Sequence, residues 1–136
     1  MSMPQEAIKA QPRYIDIPEC RIALDPGEHY AGLVLGKTGM PSHHLVLLSG
    51  EVESITWAKA KEWAKGAGGD LPSRQEQALL YANLKEQFKS EWYWSGEEHA
   101  SASGYAWYQY FTDGYQYDYP ETTKLRARAV RRLVIQ

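Results

Sequence analysis

The sequence is poor in several features that would mark a particular class of protein. It has one cysteine, Cys20, so no disulfide can form within a single chain. Lys and Arg number 15 against 17 Asp and Glu, and this balance argues against bulk nucleic-acid binding, which needs a strongly basic surface. No apolar run approaches the roughly 18 residues of a membrane span. The 136 residues, 43% of them hydrophobic, are instead typical of one folded domain.

The first 14 residues lack the basic start and the following apolar stretch of a signal peptide. We therefore expect the protein in the cytosol of the cell that makes it, or associated with a virion. Three prolines among polar residues predict an arm over 1–20, with a short strand at 13–17, and a single domain over 21–136. Such arms are often disordered, and the alternative is that the arm packs on a neighbouring subunit. We expect the protein to form a homo-oligomer, for example a trimer.

Phenylalanine is also scarce, with 2 Phe against 10 Tyr and 5 Trp. Protein cores use Phe freely, whereas Tyr and Trp combine a large apolar ring with a polar group and favour half-wet surfaces and interfaces. This bias is the first indication that the protein binds another molecule rather than catalysing a reaction.

The first half of the chain alternates between strand and helix signals. Two apolar runs, 30–35 and 44–48, flank a loop rich in Gly, Pro and Ser, and they predict a pair of strands. Apolar residues at helical spacing then predict a helix over 57–65, with Thr56 as its N-terminal cap and Gly66 as the residue that ends it.

A second helix has the clearer start signal. Ser73 and Glu76 have the spacing of a capping box, in which each side chain bonds the other residue's backbone amide. Leu80, Leu84 and Phe88 follow four residues apart and predict one apolar face.

The rest of the chain has the composition of a β region. Three strands are predicted, at 91–95, 105–111 and 124–132. The polar segments 96–104 and 115–123 are predicted to be loops, and Asp113-Gly114 is a hairpin-type turn. Because strands precede and follow two adjacent helices, the order predicts an α+β domain rather than a parallel α/β one.

Several short motifs in this order are similar to those of one known family. They lie at 56–60, at 69–73 with Glu76, at 93–97, at 106–108, at 111–114 and at 128–131. Together they resemble the DUF1566 family of bacteria and phages over roughly residues 50–134. The resemblance implies a C-type-lectin-like fold, with two helices flanking a small antiparallel sheet and a long irregular segment presenting the ligand surface.

The chain departs from related folds in two respects. The residue triplets with which calcium-dependent lectins of this fold bind sugar do not occur in the sequence. The formylglycine-generating relatives use a pair of cysteines, whereas this chain has one. The departures argue against calcium-dependent sugar binding and against that type of catalysis.

The candidate ligand surface is a Tyr-rich sheet and loop. Its proposed members are Tyr108, Tyr110, Tyr115, Tyr117 and Tyr119, helped by Asp118 and Arg126. Tyrosine offers a large contact area, little rotamer entropy to lose and a hydroxyl group, and it is enriched at binding hot spots. In the strand 105–111, alternation puts Phe111 on the core face and Tyr108 and Tyr110 outward. The alternative is that these tyrosines only pack across strands, since Tyr has a high β-propensity.

A row of arginines forms the second candidate. The set consists of Arg126, Arg128, Arg131 and Arg132. Arg126 and Arg128 alternate with apolar residues, so they are predicted to project from one sheet face. An outward row of this kind is expected to pair with Asp113, Asp118 or Glu121, to bind an acidic partner, or to stack on the tyrosines. The alternative is a solvated face with local ion pairs.

Other candidates for chemistry are weaker. His43 and His44 are adjacent in a strand and point to opposite faces, so they cannot readily share a metal ion. Glu97, Glu98 and His99 are predicted to form a wet loop, and four of the tryptophans to lie in the core. No spacing indicates a nucleophile–base pair, a metal cluster or a cofactor loop, so we expect neither an enzyme nor a cofactor.

These observations predict a non-enzymatic binding module that recognises a protein or glycan surface. The family resemblance implies a phage or prophage tail protein or a receptor-binding accessory protein. Two alternatives stay open. One is a virion structural protein that uses the aromatic cluster as a subunit interface. The other is an intracellular phage effector that inhibits a host defence protein.

Overall fold

The computed structural model describes residues 12–14, 16 and 19–135, and most of the predicted arm lies outside them. Residues 13, 14 and 16 of the short strand predicted there are described and are not in a strand. The elements of the described chain are, in order, β1 (His29–Val34), β2 (His43–Leu47), β3 (Val52–Ile55), α1 (Trp57–Gly66), α2 (Arg74–Leu84), a short 3-10 helix (Lys85–Gln87), β4 (Trp92–Glu98), β5 (Tyr105–Tyr110), β6 (Gln116–Pro120), β7 (Leu125–Ala127) and β8 (Val130–Val134).

The strands form two sheets. The smaller has the order β1-β2-β8 and is antiparallel throughout. The larger has the order β3-β7-β4-β5-β6, and in it only the β4–β7 pair is parallel. Two helices with mostly antiparallel sheets make an α+β domain, as the sequence predicts. The β1–β2 pair is also confirmed.

Three parts of the strand prediction are wrong. The segment 115–123, predicted as a loop, contains β6, and β3 has no counterpart in the prediction. The predicted strand 124–132 is two strands, β7 and β8, which belong to different sheets. The chain leaves the larger sheet at Arg128, whose guanidinium is buried and donates hydrogen bonds to the carbonyls of Leu48 and Gln87.

The two helices begin differently. At α2 the capping box is present: Ser73 Oγ accepts from the Glu76 amide, and the Glu76 carboxylate accepts from the Ser73 amide. At α1 Thr56 is the N-cap residue but its side chain makes no capping hydrogen bond. Gly66 is the last helical residue, so the prediction that it ends α1 in a left-handed conformation is wrong. Gly68 adopts that conformation instead, with φ of +94°.

The central part of the larger sheet is covered on both faces. On one face α1 contributes Trp57, Ala60 and Ala64 to a core that includes Trp94. On the other face α2 lies between the two sheets, and its Leu80 and Leu84 pack in a second core. Phe88, just after the 3-10 helix, packs against this second core. The central strands β4 and β5 are therefore shielded from both sides, while β6 is an edge strand.

Candidate binding surface

A cluster of aromatic rings lies on one face of the larger sheet. The register puts Tyr108 opposite Trp94 on β4 and opposite Tyr117 on β6, and residues directly opposite each other project from the same face. Because side chains alternate along each strand, the aromatic residues two positions away from these lie on the same face. The tyrosine surface, as we call it, consists of Tyr110, Tyr115, Tyr117 and Tyr119, with Trp92 and Tyr108 beneath or beside them.

The rings of this surface are in mutual contact. Trp92 stacks on Tyr108 with ring centroids 4.9 Å apart, and it meets Tyr119 edge-on at 5.3 Å. Tyr115 and Tyr117 lie side by side, with centroids 5.8 Å apart and planes within 10° of parallel. Aromatic pairs in such arrangements add stability beyond simple burial, so the rings are held in place by their neighbours.

Exposure divides the predicted tyrosines into two groups. Tyr115, Tyr117 and Tyr119 are 52%, 54% and 37% exposed, and Tyr110 is half-buried. Tyr108 is buried at 5%, so the prediction that it points to solvent is wrong. Its strand lies between two neighbours, and the core built by α1 covers the face on which Tyr108 stands. Tyr108 therefore supports the surface from below.

Burial raises the pKa of Tyr108, and the nearby groups Tyr115, Tyr119 and Asp118 raise it further. The phenol of Tyr108 therefore stays neutral, and its packing against Trp92 is unaffected by physiological changes in pH.

The opposite face of the same hairpin is polar and closed. The side-chain amide of Gln109 donates to the carbonyl of Gln77 at 2.6 Å. The amide of Gln116 donates both to Gln109 Oε1 and to the carbonyl of Arg74, each at 2.8 Å. The Arg74 guanidinium in turn lies 3.6 Å from the ring centroid of Trp107. These contacts bind α2 to β5 and β6.

Asp118 belongs to this polar face and not to the tyrosine surface. It pairs with Trp107 in the register, and its carboxylate lies 4.0 Å from His99 Nε2. The prediction that Asp118 acts beside Tyr117 and Tyr119 is therefore wrong in its geometry, because neighbours along a strand point to opposite faces.

Arg126 is also placed away from the tyrosine surface. It lies opposite Tyr93, whose side of the sheet faces α2, and it donates to Glu51 Oε2 at 2.7 Å. Burial alone would lower the pKa of Arg126, but the hydrogen bond and the charge of Glu51 outweigh it and raise that pKa. Glu51 also accepts a hydrogen bond from Tyr93 Oη at 2.7 Å. Arg126 thus fixes the segment before β3.

The predicted acidic partners of the arginine row are wrong. Arg131 pairs with Glu28 at 2.9 Å, and Arg132 pairs with Glu76 at 2.7 Å. In the described part of the chain, no ion pair joins the arginines Arg126, Arg128, Arg131 and Arg132 to the predicted carboxylates Asp113, Asp118 and Glu121. The arginines instead fasten distant segments to one another.

The acidic residues near His99 do not converge on one point. Glu97 accepts from the backbone amide of Arg74 at 2.6 Å, and His99 stacks on Trp107 with centroids 5.0 Å apart. Glu98 approaches Glu121 and raises the pKa of the Glu121 carboxyl through a shared hydrogen bond. Within residues 12–14, 16 and 19–135, no group of three or more His, Cys, Asp or Glu side chains could hold a metal ion.

The two adjacent histidines do point to opposite faces of β2, as predicted. His43 contacts Glu76 through Nε2 at 2.6 Å, whereas His44 contacts Cys20 and Tyr30. Cys20 Sγ lies 3.2 Å from His44 Nε2. The fold thus brings together a thiol and an imidazole that lie 24 positions apart, a contact that no spacing in the sequence indicates.

The sequence matches no protein-family model, and a search of the curated proteins finds no significant match. Among the helices of the described residues, none combines the length and the apolar character needed to cross a membrane.

Proposed function

We propose that the protein is a non-enzymatic binding module whose ligand is a protein or glycan surface, contacted by the tyrosine surface. The observation that carries the proposal is the exposure of Tyr115, Tyr117 and Tyr119 side by side on one sheet face. Each exposed ring offers apolar area together with a phenol hydroxyl, the combination that is enriched where proteins bind partners.

The geometry supports binding by a surface that is ordered in advance. Tyr119 packs edge-on against both Trp92 and Tyr108, and Tyr115 and Tyr117 lie parallel to each other. A ligand that covers these rings has little side-chain freedom to remove, and this lowers the cost of association. Binding would consist of burying aromatic area and forming a few hydrogen bonds to the phenols.

We further propose a C-type-lectin-like fold and a relationship to the DUF1566 family, with a phage or prophage origin. Two features support the fold: the helices flank largely antiparallel sheets, and the early strand β2 pairs with the late strand β8. One feature differs from the expectation, since the candidate surface is built mainly on the regular strand β6 instead of a long irregular segment.

The test compares three proteins on the same targets: the wild type, the double variant Tyr115→Ala/Tyr117→Ala, and the control Tyr105→Ala. Tyr105 is 40% exposed but stands on the polar face of the hairpin, so it matches the other tyrosines in type and exposure. The targets are an array of bacterial surface oligosaccharides and a panel of purified bacterial envelope proteins.

We expect wild type and Tyr105→Ala to bind the same target, and the double variant to bind it at least about tenfold more weakly, as loss of hot-spot rings requires. Binding that survives the double substitution, in a protein that is folded by circular dichroism, would refute this site.

The same exposed rings also favour one other function, a permanent interface between copies of the chain in a virion. Sedimentation velocity separates the two functions. If the tyrosine surface is the interface, the wild type forms an oligomer that Tyr115→Ala/Tyr117→Ala dissociates. If the surface is free for a ligand, both proteins have the same oligomeric state, whether monomer or the arm-mediated oligomer expected from the sequence.

A further inference from the structure

A second chemical feature lies on the smaller sheet, apart from the tyrosine surface. Cys20 Sγ is 3.2 Å from Nε2 of His44 in β2, and the other ring nitrogen of His44, Nδ1, is 2.8 Å from Tyr30 Oη in β1. The Cys20 thiol, the His44 imidazole and the Tyr30 hydroxyl, which orients the imidazole, therefore form a chain of two successive contacts. A nucleophile within hydrogen-bond reach of a base, with the base held by a third group, is the arrangement that activates nucleophiles in proteins.

The hydrogen bonds define how a proton can move along this line. When His44 Nδ1–H donates to Tyr30 Oη, Nε2 keeps its lone pair and accepts the proton of the Cys20 thiol. The product is a thiolate beside an imidazolium whose two N–H groups both have acceptors. Burial raises the pKa of Tyr30, so the phenol stays neutral and its oxygen remains available as an acceptor.

The thiol is accessible to small molecules. Cys20 is exposed and lies between two clefts of about 310 and 290 Å³. The first cleft has an apolar wall of Leu133, Val134 and Ile135, and Arg21 supplies a positive charge at its rim. The thiolate is the reactive form of cysteine, so a base in contact with the thiol increases its reactivity.

We propose that Cys20 is a reactive thiol site that exchanges with small disulfide compounds, with His44 as its base. In the exchange, the Cys20 thiolate attacks one sulfur of the compound and forms a new S–S bond, while the old S–S bond breaks. The second sulfur leaves with the bonding electron pair and takes the proton held on His44 Nε2. One thiol is consumed and one is released, so the disulfide is exchanged and no external oxidant is required.

The site is separate from the tyrosine surface in position and in chemistry. Cys20, Tyr30 and His44 lie on or beside the smaller sheet, whereas the tyrosine surface lies on the larger one. The failure of either proposal therefore leaves the other standing.

The test measures how fast oxidised glutathione forms a mixed disulfide with the full chain, followed by intact-protein mass spectrometry between pH 5.5 and 9. The variants are His44→Gln, Tyr30→Phe and Cys20→Ser, and the control is His99→Gln, a histidine on the larger sheet. Circular dichroism verifies that each variant is folded.

At pH 7 we expect His44→Gln to react at least tenfold more slowly than wild type, Tyr30→Phe a few-fold more slowly, His99→Gln unchanged and Cys20→Ser not at all. As the pH falls, the wild-type rate should decline less steeply than the rate of His44→Gln, because the variant has no base to take the thiol proton. Tyr30→Phe should lie between the two.

The proposal is overturned if His44→Gln reacts as fast as wild type, or if His99→Gln slows the reaction equally. Should His44→Gln fail to fold, the wild-type profile alone decides: a single ionisation near that of a free cysteine contradicts the proposal, and a rate sustained to lower pH supports it.

Discussion

The two faces of the hairpin formed by β5 and β6 differ in what covers them, although their residues alternate along the same two strands. One face consists of Gln109, Gln116 and their partners on α2, joined by hydrogen bonds of 2.6–2.8 Å. The other carries aromatic rings, of which Tyr115, Tyr117 and Tyr119 are largely uncovered. Gln109 is thus buried while three tyrosines on the other face are exposed, the reverse of the usual arrangement for these residue types.

We expect the closed face to contribute mainly to the stability of the fold and the open face mainly to binding. A buried amide contributes only about 1 kcal/mol when paired but costs about 1–3 kcal/mol when its partner is lost. The closed face is therefore sensitive to substitution. The open face has few contacts to lose within its own subunit, so its rings can be changed at little cost in stability.

The largest expected effect is on the contacts that hold α2, which covers the closed face, against strand β8 of the smaller sheet. Glu76 is fully buried and accepts hydrogen bonds from Arg132, and Glu76→Gln keeps the capping box with Ser73 while removing the charge. Because Arg132 loses a buried carboxylate and keeps only its pair with the partly exposed Asp70, we expect a loss of about 3 kcal/mol in the free energy of unfolding, the lower end for breaking a buried ion pair. Urea denaturation at pH 7 measures it.

The effect of Glu76→Gln on the free energy of unfolding should also depend on pH. Burial raises the pKa of Glu76, but the hydrogen bonds from Arg132 and from the Ser73 amide outweigh it and hold the pKa below its ordinary value. A carboxyl group with a lowered pKa stabilises the fold above its ordinary pKa of about 4.3, and the contribution is lost as the pH falls through the folded-state value. The stability difference between wild type and Glu76→Gln should therefore shrink below about pH 4. A difference that stays constant down to pH 2.5 would contradict this ion pair.

The next effect concerns the closed face itself. Gln109→Ala removes the donor to the Gln77 carbonyl and leaves the Gln116 amide without one of its acceptors. We expect a loss of about 2–3 kcal/mol in the free energy of unfolding, again from urea denaturation, since an unpaired buried group and a small cavity add. A loss in the free energy of unfolding of less than about 0.5 kcal/mol, as for ordinary surface substitutions, would contradict the claim that the closed face is more sensitive to substitution than the open face.

The smallest effect is expected on the open face. Tyr115→Ala/Tyr117→Ala removes two rings that contact each other and are both more than half exposed. We expect the free energy of unfolding to change by no more than about 1 kcal/mol, as for surface substitutions. A loss comparable to that of Gln109→Ala would indicate that the rings mainly stabilise the fold.

Much of the fold follows from local signals in the sequence. The capping box of Ser73 and Glu76 forms as predicted because both partners are within one turn of helix. The prediction lacks β6 although Tyr115, Tyr117 and Tyr119 alternate as in a strand, because the polar residues of this segment suggest a loop. The same alternation would have assigned Asp118 to the opposite face.

Other features depend on distant contacts and have no local signal. The burial of Tyr108 follows from the position of β5 between two strands and under the core of α1. The contact of Cys20 with His44 depends on the path of the chain before β1, and nothing in their spacing indicates it. The ion pair of Arg126 with Glu51 likewise joins residues 75 positions apart.

The central claim, that the tyrosine surface is open until another molecule covers it, is tested most directly by nitration of tyrosines with tetranitromethane, mapped by peptide mass spectrometry. In the free protein we predict rapid nitration of Tyr115 and Tyr117 and slow nitration of Tyr93 and Tyr108, which are buried. Addition of a target found in the binding screen should protect Tyr115 and Tyr117 and leave Tyr105 reactive. Protection of Tyr115 and Tyr117 in the free protein, or no change when the target is bound, would contradict the claim.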